Sequence, residues 1–253
     1  MERHIAVPFS EEELKELHAG DYIYLTGTIY SARDAAHKRM YDAICVEQEK
    51  HPEVEYSGAK LYEDQILPLD ITGNTIYYLG PTPAKPGQVI GSAGPTTSSR
   101  MDKYTPLLLS KGLKGMIGKG KRSQAVIDAI VKEKAVYMAA VGGAGALLSK
   151  CITKSEIVCY EDLGAEAIRK LEVKDFPVIV VIDSDVNSSM VSCRIGTNNL
   201  QAGVKAAEAA LVVEEDELYI GIVNYDVNSA NGQQRELGFR QTVEQDPRVK
   251  DIT

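Results

Sequence analysis

The stretch Gly91-Ser-Ala-Gly-Pro-Thr-Thr-Ser-Ser-Arg-Met-Asp-Lys103 constrains this chain more than any other. Two glycines, a proline and five hydroxyl side chains precede an arginine, a pattern that reads as a loop opening a helix. Gly94 and Pro95 punctuate a turn, the Thr/Ser cluster offers N-cap candidates, and Arg100 falls in or near the first helical turn. Such a helix start presents unpaired backbone N–H groups and a positive dipole end, which suits an anion. Arg100 adds a two-pronged donor for a carboxylate. A capped helix after a surface loop explains the same residues equally well, so both readings stand on this stretch alone.

Around it, strands and helices alternate, which is the pattern of an α/β fold. Ser10 followed by three glutamates and Leu14 is a capping-box start for a short helix ending near Gly20. Residues 21–30 are β-branched and aromatic around Gly27 and read as strand; residues 31–49 read as a long helix. Arg33 and His37 lie four apart on one face of that helix, where a solvated polar face is the plainer account of both. Strand is expected over 74–79, helix over 101–110, and a short buried strand over 115–121. That strand ends in Lys119 between Gly118 and Gly120, which let backbone approach a ligand closely; a surface lysine is the alternative. A helix over 123–131, a strand over 135–141, a helix over 162–170 and a strand over 176–182 complete the series. The Gly142-Gly-Ala-Gly145 turn matches neither the dinucleotide nor the P-loop pattern, and reads as tight packing or as backbone of a substrate loop.

At 253 residues the chain holds one large domain or two small ones. A formal net charge of -8 argues mildly against nucleic acid as main partner. The first ten residues lack the apolar run of a signal peptide, and no run is long enough to span a membrane, so a cytoplasmic protein is expected. Cys45, Cys151, Cys159 and Cys193 form neither a disulfide framework nor a metal-ligand spacing, so no metal is expected on this chain.

Five stretches in unbroken order carry a resemblance. Residues 27–39 (Gly-Thr-Ile-Tyr-Ser-Ala-Arg-Asp-Ala-Ala-His-Lys-Arg), 94–104, 117–124, the 142–145 turn and 161–177 together resemble the β subunit of class I fumarase and L(+)-tartrate dehydratase, the iron–sulfur hydro-lyases. The resemblance implies a swivelling β/β/α domain docked on a separate α subunit that ligates a [4Fe–4S] cluster. It implies reversible loss of water from a small 2-hydroxy dicarboxylate, malate or tartrate. It places Thr96 where the family's proposed base falls, assisted by Lys119, with Arg33, Arg100 and Lys119 on substrate oxygens. Three cations at element ends and glycine-rich turns are what a dicarboxylate needs, and a threonine hydroxyl needs a neighbouring cation to act as base. Asp34 and His37 match the motif without a role that can be argued from it.

The likeness ends near Asp183. The remainder resembles part of a ribose-type periplasmic sugar-binding protein, on Ile182-Asp-Ser-Asp-Val-Asn187, Ile195-Gly-Thr-Asn-Asn-Leu-Gln-Ala-Gly203 and Asn228-Ser-Ala-Asn-Gly-Gln-Gln-Arg-Glu-Leu-Gly-Phe239. There the resemblance places Arg235 where a guanidinium contacts sugar hydroxyls. The division expected is 1–182 as the hydro-lyase domain and 183–253 as a partial βαβα extension, joined as a chimera or fusion, with a natural C-terminal extension whose likeness is chance strand–helix pattern as the alternative. Such a fragment has too few strands to bury its faces alone. Two functions follow: a fumarate hydratase-type β subunit, with a tartrate dehydratase β subunit as its variant, or a non-catalytic chimera or sugar-binding module. The first implies a hetero-oligomer, inactive without its α subunit, with a homodimer as the alternative.

Overall fold

The computed structural model describes residues 3–182, 199–223 and 230–252. The chain divides into two compact units, residues 1–193 and 194–253. Among the described residues no helix is long and apolar enough to cross a membrane.

In the first unit a seven-stranded mixed sheet carries the site. Its strands are β1 (Arg3–Val7), β2 (Tyr22–Ser31), β3 (Thr75–Tyr77), β4 (Gly115–Gly118), β5 (Val136–Ala139), β6 (Ile152–Cys159) and β7 (Ile168–Ile182). The order is β1-β2-β3-β4-β5-β7-β6, with the first five strands parallel and β7 antiparallel to its neighbours. Because β7 also pairs with β2, the sheet closes on itself from β2 round to β7. Gly27 lies at φ +132° where the β2–β7 register shifts, and a Cβ there would lie 2.1 Å from the carbonyl oxygen of Val7 on β1, so the position requires glycine.

Alternation along β3, β4 and β5 feeds two cores. Tyr77, Ile117, Val136 and Met138 face one, with Ile23, Leu25, Phe176 and Val178. Ile76, Met116 and Tyr137 face the other, under α2 (Asp34–Lys50), α3 (Gly58–Glu63), α4 (Thr105–Ser110) and α5 (Gln124–Lys132). Strands buried on both faces read as continuous apolar runs, as parallel strands do. The remaining helices here are α1 (Glu11–Lys15), where Ser10 and Glu13 form the expected capping box, and α6 (Gly145–Leu148).

Two local expectations are corrected. Residues 162–170 are not a helix: a 3-10 turn over Glu161–Glu166 contains Gly164 at φ 59° and ψ -114°, and Ile168 already belongs to β7. The helix-forming Glu, Ala, Arg and Lys of that stretch yield to pairing on both sides, since Arg169 lies opposite Ser31 and opposite Ile157. Residues 101–110 are not one helix either. A 3-10 turn, Ser98–Met101, precedes α4, and Pro106 in the first turn of α4 has no N–H to bond the carbonyl of Asp102.

The second unit contains α7 (Asn199–Ala210), β8 (Leu218–Ile220), α8 (Ala230–Val243) and β9 (Val249–Ile252), with β8 and β9 parallel. The two helices cross closely at Gly203 and Gly238, where added Cβ atoms would lie 2.1 Å from the carbonyls of Arg235 and Leu200. Arg248 closes the unit by donating to the carbonyls of Leu211 and Val213 at 2.9 and 2.7 Å. Parts of the sugar-binding-like motifs, residues 183–198 and 224–229, lie outside the described residues.

Candidate functional site

Arg33 ends the extended run after β2 and stands at the N-cap of α2 with φ -121° and ψ -160°. Its guanidinium is held between two carboxylates, 3.5 Å from Asp34 and 3.3 Å from Glu166. Glu166 accepts the N–H of Ala35 at 2.9 Å with its other oxygen, so one carboxylate caps α2 and braces Arg33. Arg100 reaches the same group from the 3-10 turn: its Nε donates to Asp34 Oδ1 at 2.8 Å. Asp34 thus bridges two of the three expected cations. With Nε engaged, the Nη1/Nη2 edge of the half-exposed Arg100 remains for a carboxylate.

Thr96 and Lys119 meet through their main chains. The N–H of Lys119 donates to the carbonyl of Thr96 at 3.2 Å, and the N–H of Ser98 to the carbonyl of Lys119 at 2.8 Å. This short parallel bridge pairs Lys119 directly with Thr97, so Thr96 and Thr97 both flank the lysine. Neither of the two helix starts that this stretch allowed, anion-binding or side-chain-capped, forms here. Thr97 at the N-cap makes no side-chain cap bond, and the turn behind it is four residues of 3-10 helix. Side-chain cations, not a helix dipole, carry the positive charge.

The Gly142–Gly145 turn packs against this loop. Gly145 accepts the N–H of Ala93 at 2.9 Å, and a Cβ on Gly145 would lie 2.8 Å from the backbone nitrogen of Gly94. A Cβ added to Gly142 would lie 3.5 Å from the Cδ of Lys119, so this turn also neighbours the lysine. Of the two readings of this turn, tight packing is the one the close contacts fit.

His37 is not on a solvated face. It is fully enclosed, with its ring edge-on to Tyr78 at 5.3 Å and its Nδ1 2.9 Å from the carbonyl of Arg33. A carbonyl only accepts, so Nδ1 carries the proton; Nε2 is buried with no partner among the described residues. Burial holds the imidazole neutral, with its pKa lowered to about 4.

Beneath the cations lies a network that the sequence did not reveal. Arg122 is enclosed between Tyr78 and Tyr137, whose ring centroids are 5.3 and 5.1 Å from its Cζ. It donates to Asp102, Thr105 and the hydroxyl of Tyr78 at 2.7, 2.7 and 3.1 Å. The Tyr137 hydroxyl donates to the carbonyl of Gly120 at 2.8 Å and accepts from Ser98 Oγ at 2.9 Å. Burial pushes its pKa up to about 12, so it remains a donor. The available signal was a pair of tyrosines inside otherwise apolar strand runs, since a buried phenol needs a partner.

Arg235 belongs to the second unit and is exposed on α8, where its Nε donates to Asn199 Oδ1 at 2.9 Å. Among the described residues, no group of three or more His, Cys, Asp and Glu side chains is placed to hold a metal ion.

A family model described as "Fumarase C-terminus" matches residues 2–192. The anaerobic class I fumarate hydratase of Escherichia coli is 38% identical over 177 residues, covering 69% of this chain and 29% of that protein. Fumarate hydratase 2 of Leishmania major is 34% identical over 179 residues, covering 70% and 28%. A protein of Methanocaldococcus jannaschii provisionally named L(+)-tartrate dehydratase subunit beta is 33% identical over 185 residues, covering 71% and 86%. The match therefore takes in 28–29% of the length of those two fumarate hydratases, but most of the tartrate dehydratase subunit. A solute-binding protein of an ABC transporter from Burkholderia graminis, in complex with D-arabinose, aligns over 85% of this chain at 16% identity and a TM-score of 0.35, too low to establish a shared fold.

Proposed function

We propose, because the chain belongs to the fumarase C-terminus family, that it acts as the β subunit of an iron–sulfur hydro-lyase that reversibly dehydrates a small 2-hydroxy dicarboxylate. Malate-to-fumarate conversion is the reading we favour; tartrate dehydration is the variant. The observation that carries it is the Asp34 bridge, which sets Arg33 and Arg100 side by side at the end of the loop that contains Thr96 and pairs through its main chain with Lys119. Such a cluster of cations suits two carboxylates.

In this reading the domain is of the swivelling β/β/α type and docks on a partner α subunit. The [4Fe–4S] group that this reading needs would be held by the partner. When bound, it would supply Lewis-acid polarisation of the leaving hydroxyl. This chain's part is to bind and orient. The free edge of Arg100 and the guanidinium of Arg33 take carboxylate oxygens, and Lys119 faces charge that develops as the C3 proton leaves. Thr96 first gives its hydroxyl proton to solvent, an ionisation that the neighbouring Lys119 ammonium favours; the Oγ1 alkoxide then takes the C3 proton and ends as the hydroxyl. The second unit enters as a fused extension outside the chemistry. The test is hydration of fumarate by the full chain mixed anaerobically with a cluster-bearing α subunit.

A further inference from the structure

We propose that buried Arg122, acting with Tyr137, is a positioning device that fixes the segment carrying Lys119 against the turn carrying Arg100. The inference rests on the reading of that cluster as a dicarboxylate site. Arg122 cannot touch a substrate, because none of its side chain is exposed. It is also a costly way to fill a core. A buried ion pair is often replaceable by apolar side chains without loss of stability, so its value here lies in geometry.

That geometry is specific. Arg122 follows Lys119 by three residues, and it reaches back to Asp102 and Thr105, just beyond Arg100. Asp102 uses its second oxygen to accept the N–H of Ser123 at 2.6 Å, so the carboxylate holds Arg122 and the next residue together. On the other side the Tyr137 hydroxyl links Ser98, at the start of the turn, to the carbonyl of Gly120. Ser98 itself donates its N–H to Lys119. The segment from Lys119 to Ser123 is therefore tied to the Arg100 turn at four successive points, by the Ser98 amide, the Tyr137 phenol, the Arg122 guanidinium and the Asp102 carboxylate. The rings of Tyr78 and Tyr137 both lie against the guanidinium and restrict its movement.

Tyr137→Phe tests this with the full chain, since it removes one hydroxyl and keeps the ring over Arg122. Amide hydrogen exchange should accelerate about tenfold or more at Ser98 and Lys119, while amides of α5 and β7 keep their protection. In a reconstituted complex, kcat should fall about tenfold with KM nearly unchanged, the mark of misplacement rather than lost binding. Arg122→Lys, which keeps the charge and loses the fork, should behave in the same way. Unchanged exchange at Ser98 and Lys119 overturns the proposal, as does acceleration spread over the whole unit. Wild-type kcat in an active variant complex overturns it too. A wild-type complex without turnover counts instead against the hydro-lyase reading, and the exchange result then decides the positioning role by itself.

Discussion

The Nε of Arg100 donates a 2.8 Å hydrogen bond to Oδ1 of Asp34, and the other oxygen of that carboxylate lies 3.5 Å from Arg33. One acidic side chain thus sets the spacing of two guanidinium groups that would otherwise repel each other. Asp34→Ala should free Arg100 and lower kcat/KM for a dicarboxylate by about tenfold, because orientation of a clamp outweighs removal of one partly exposed charge. Steady-state kinetics of the reconstituted complex check this. A rise in kcat/KM would make Asp34 a competitor for the clamp rather than its spacer.

Arg100→Ala and Lys119→Ala should each cut turnover by about 100-fold or more, the usual loss when a transition-state electrostatic contact is removed. The bridge that pairs Lys119 with Thr97 makes the neighbouring threonine a necessary control. Thr96→Val should match the large loss, and Thr97→Val should stay near wild type. The reverse order would move the base to Thr97.

His37 makes stability depend on pH. Its folded pKa is lowered to about 4 by burial, against about 6.5 in the unfolded chain. The unfolded state therefore takes up its proton first as pH falls. The stability is fully present above about pH 6.5 and is lost as pH drops towards 4, amounting to roughly 2–3 kcal/mol by pH 4.5. Urea denaturation at pH 7 and pH 4.5 measures this. His37→Asn, which can still donate to the carbonyl of Arg33, should show a smaller acid loss; an equal loss would assign it to other groups.

Gly145→Ala should displace the loop at Gly94, because the new Cβ would lie 2.8 Å from backbone that cannot swing aside. A destabilisation of roughly 1–3 kcal/mol is expected from such overpacking. Gly143→Ala is a poor comparison, since Gly143 sits at φ 82° and an added side chain is strained there regardless of space. Gly94→Ala is the better one: its Cβ would meet only the Cα of Gly145 at 3.6 Å and its nitrogen at 3.9 Å. Thermal melts of both variants check the order, and equal melting temperatures would contradict it.

Much of the first unit was legible because its signals are local. The capping box at Ser10, the short apolar runs of β4 and β5, and the glycine-flanked Lys119 all depend on near neighbours in sequence. The failures come from long-range partners. Residues 168–170 carry helix-forming side chains but pair with β2 on one edge and β6 on the other. His37 reads as polar surface, yet its Nδ1 is satisfied one turn back while Tyr78 covers its ring. Arg122 drew no reading at all, because its partners lie 15–44 residues away, on Tyr78, Asp102, Thr105 and Tyr137. Among the cations, their residue types were readable, whereas the Asp34 and Glu166 carboxylates that space them were not.

The most direct test of the account is fumarate formation from malate, followed by absorbance after anaerobic mixing of the full chain with a cluster-loaded class I α subunit. The same assay is run with a chain ending at Ile182. Turnover above that of either component alone, in at least one of the two forms and abolished by Lys119→Ala, is the predicted result. No turnover from either form, with malate and with tartrate, would contradict the assignment of this chain as a hydro-lyase β subunit.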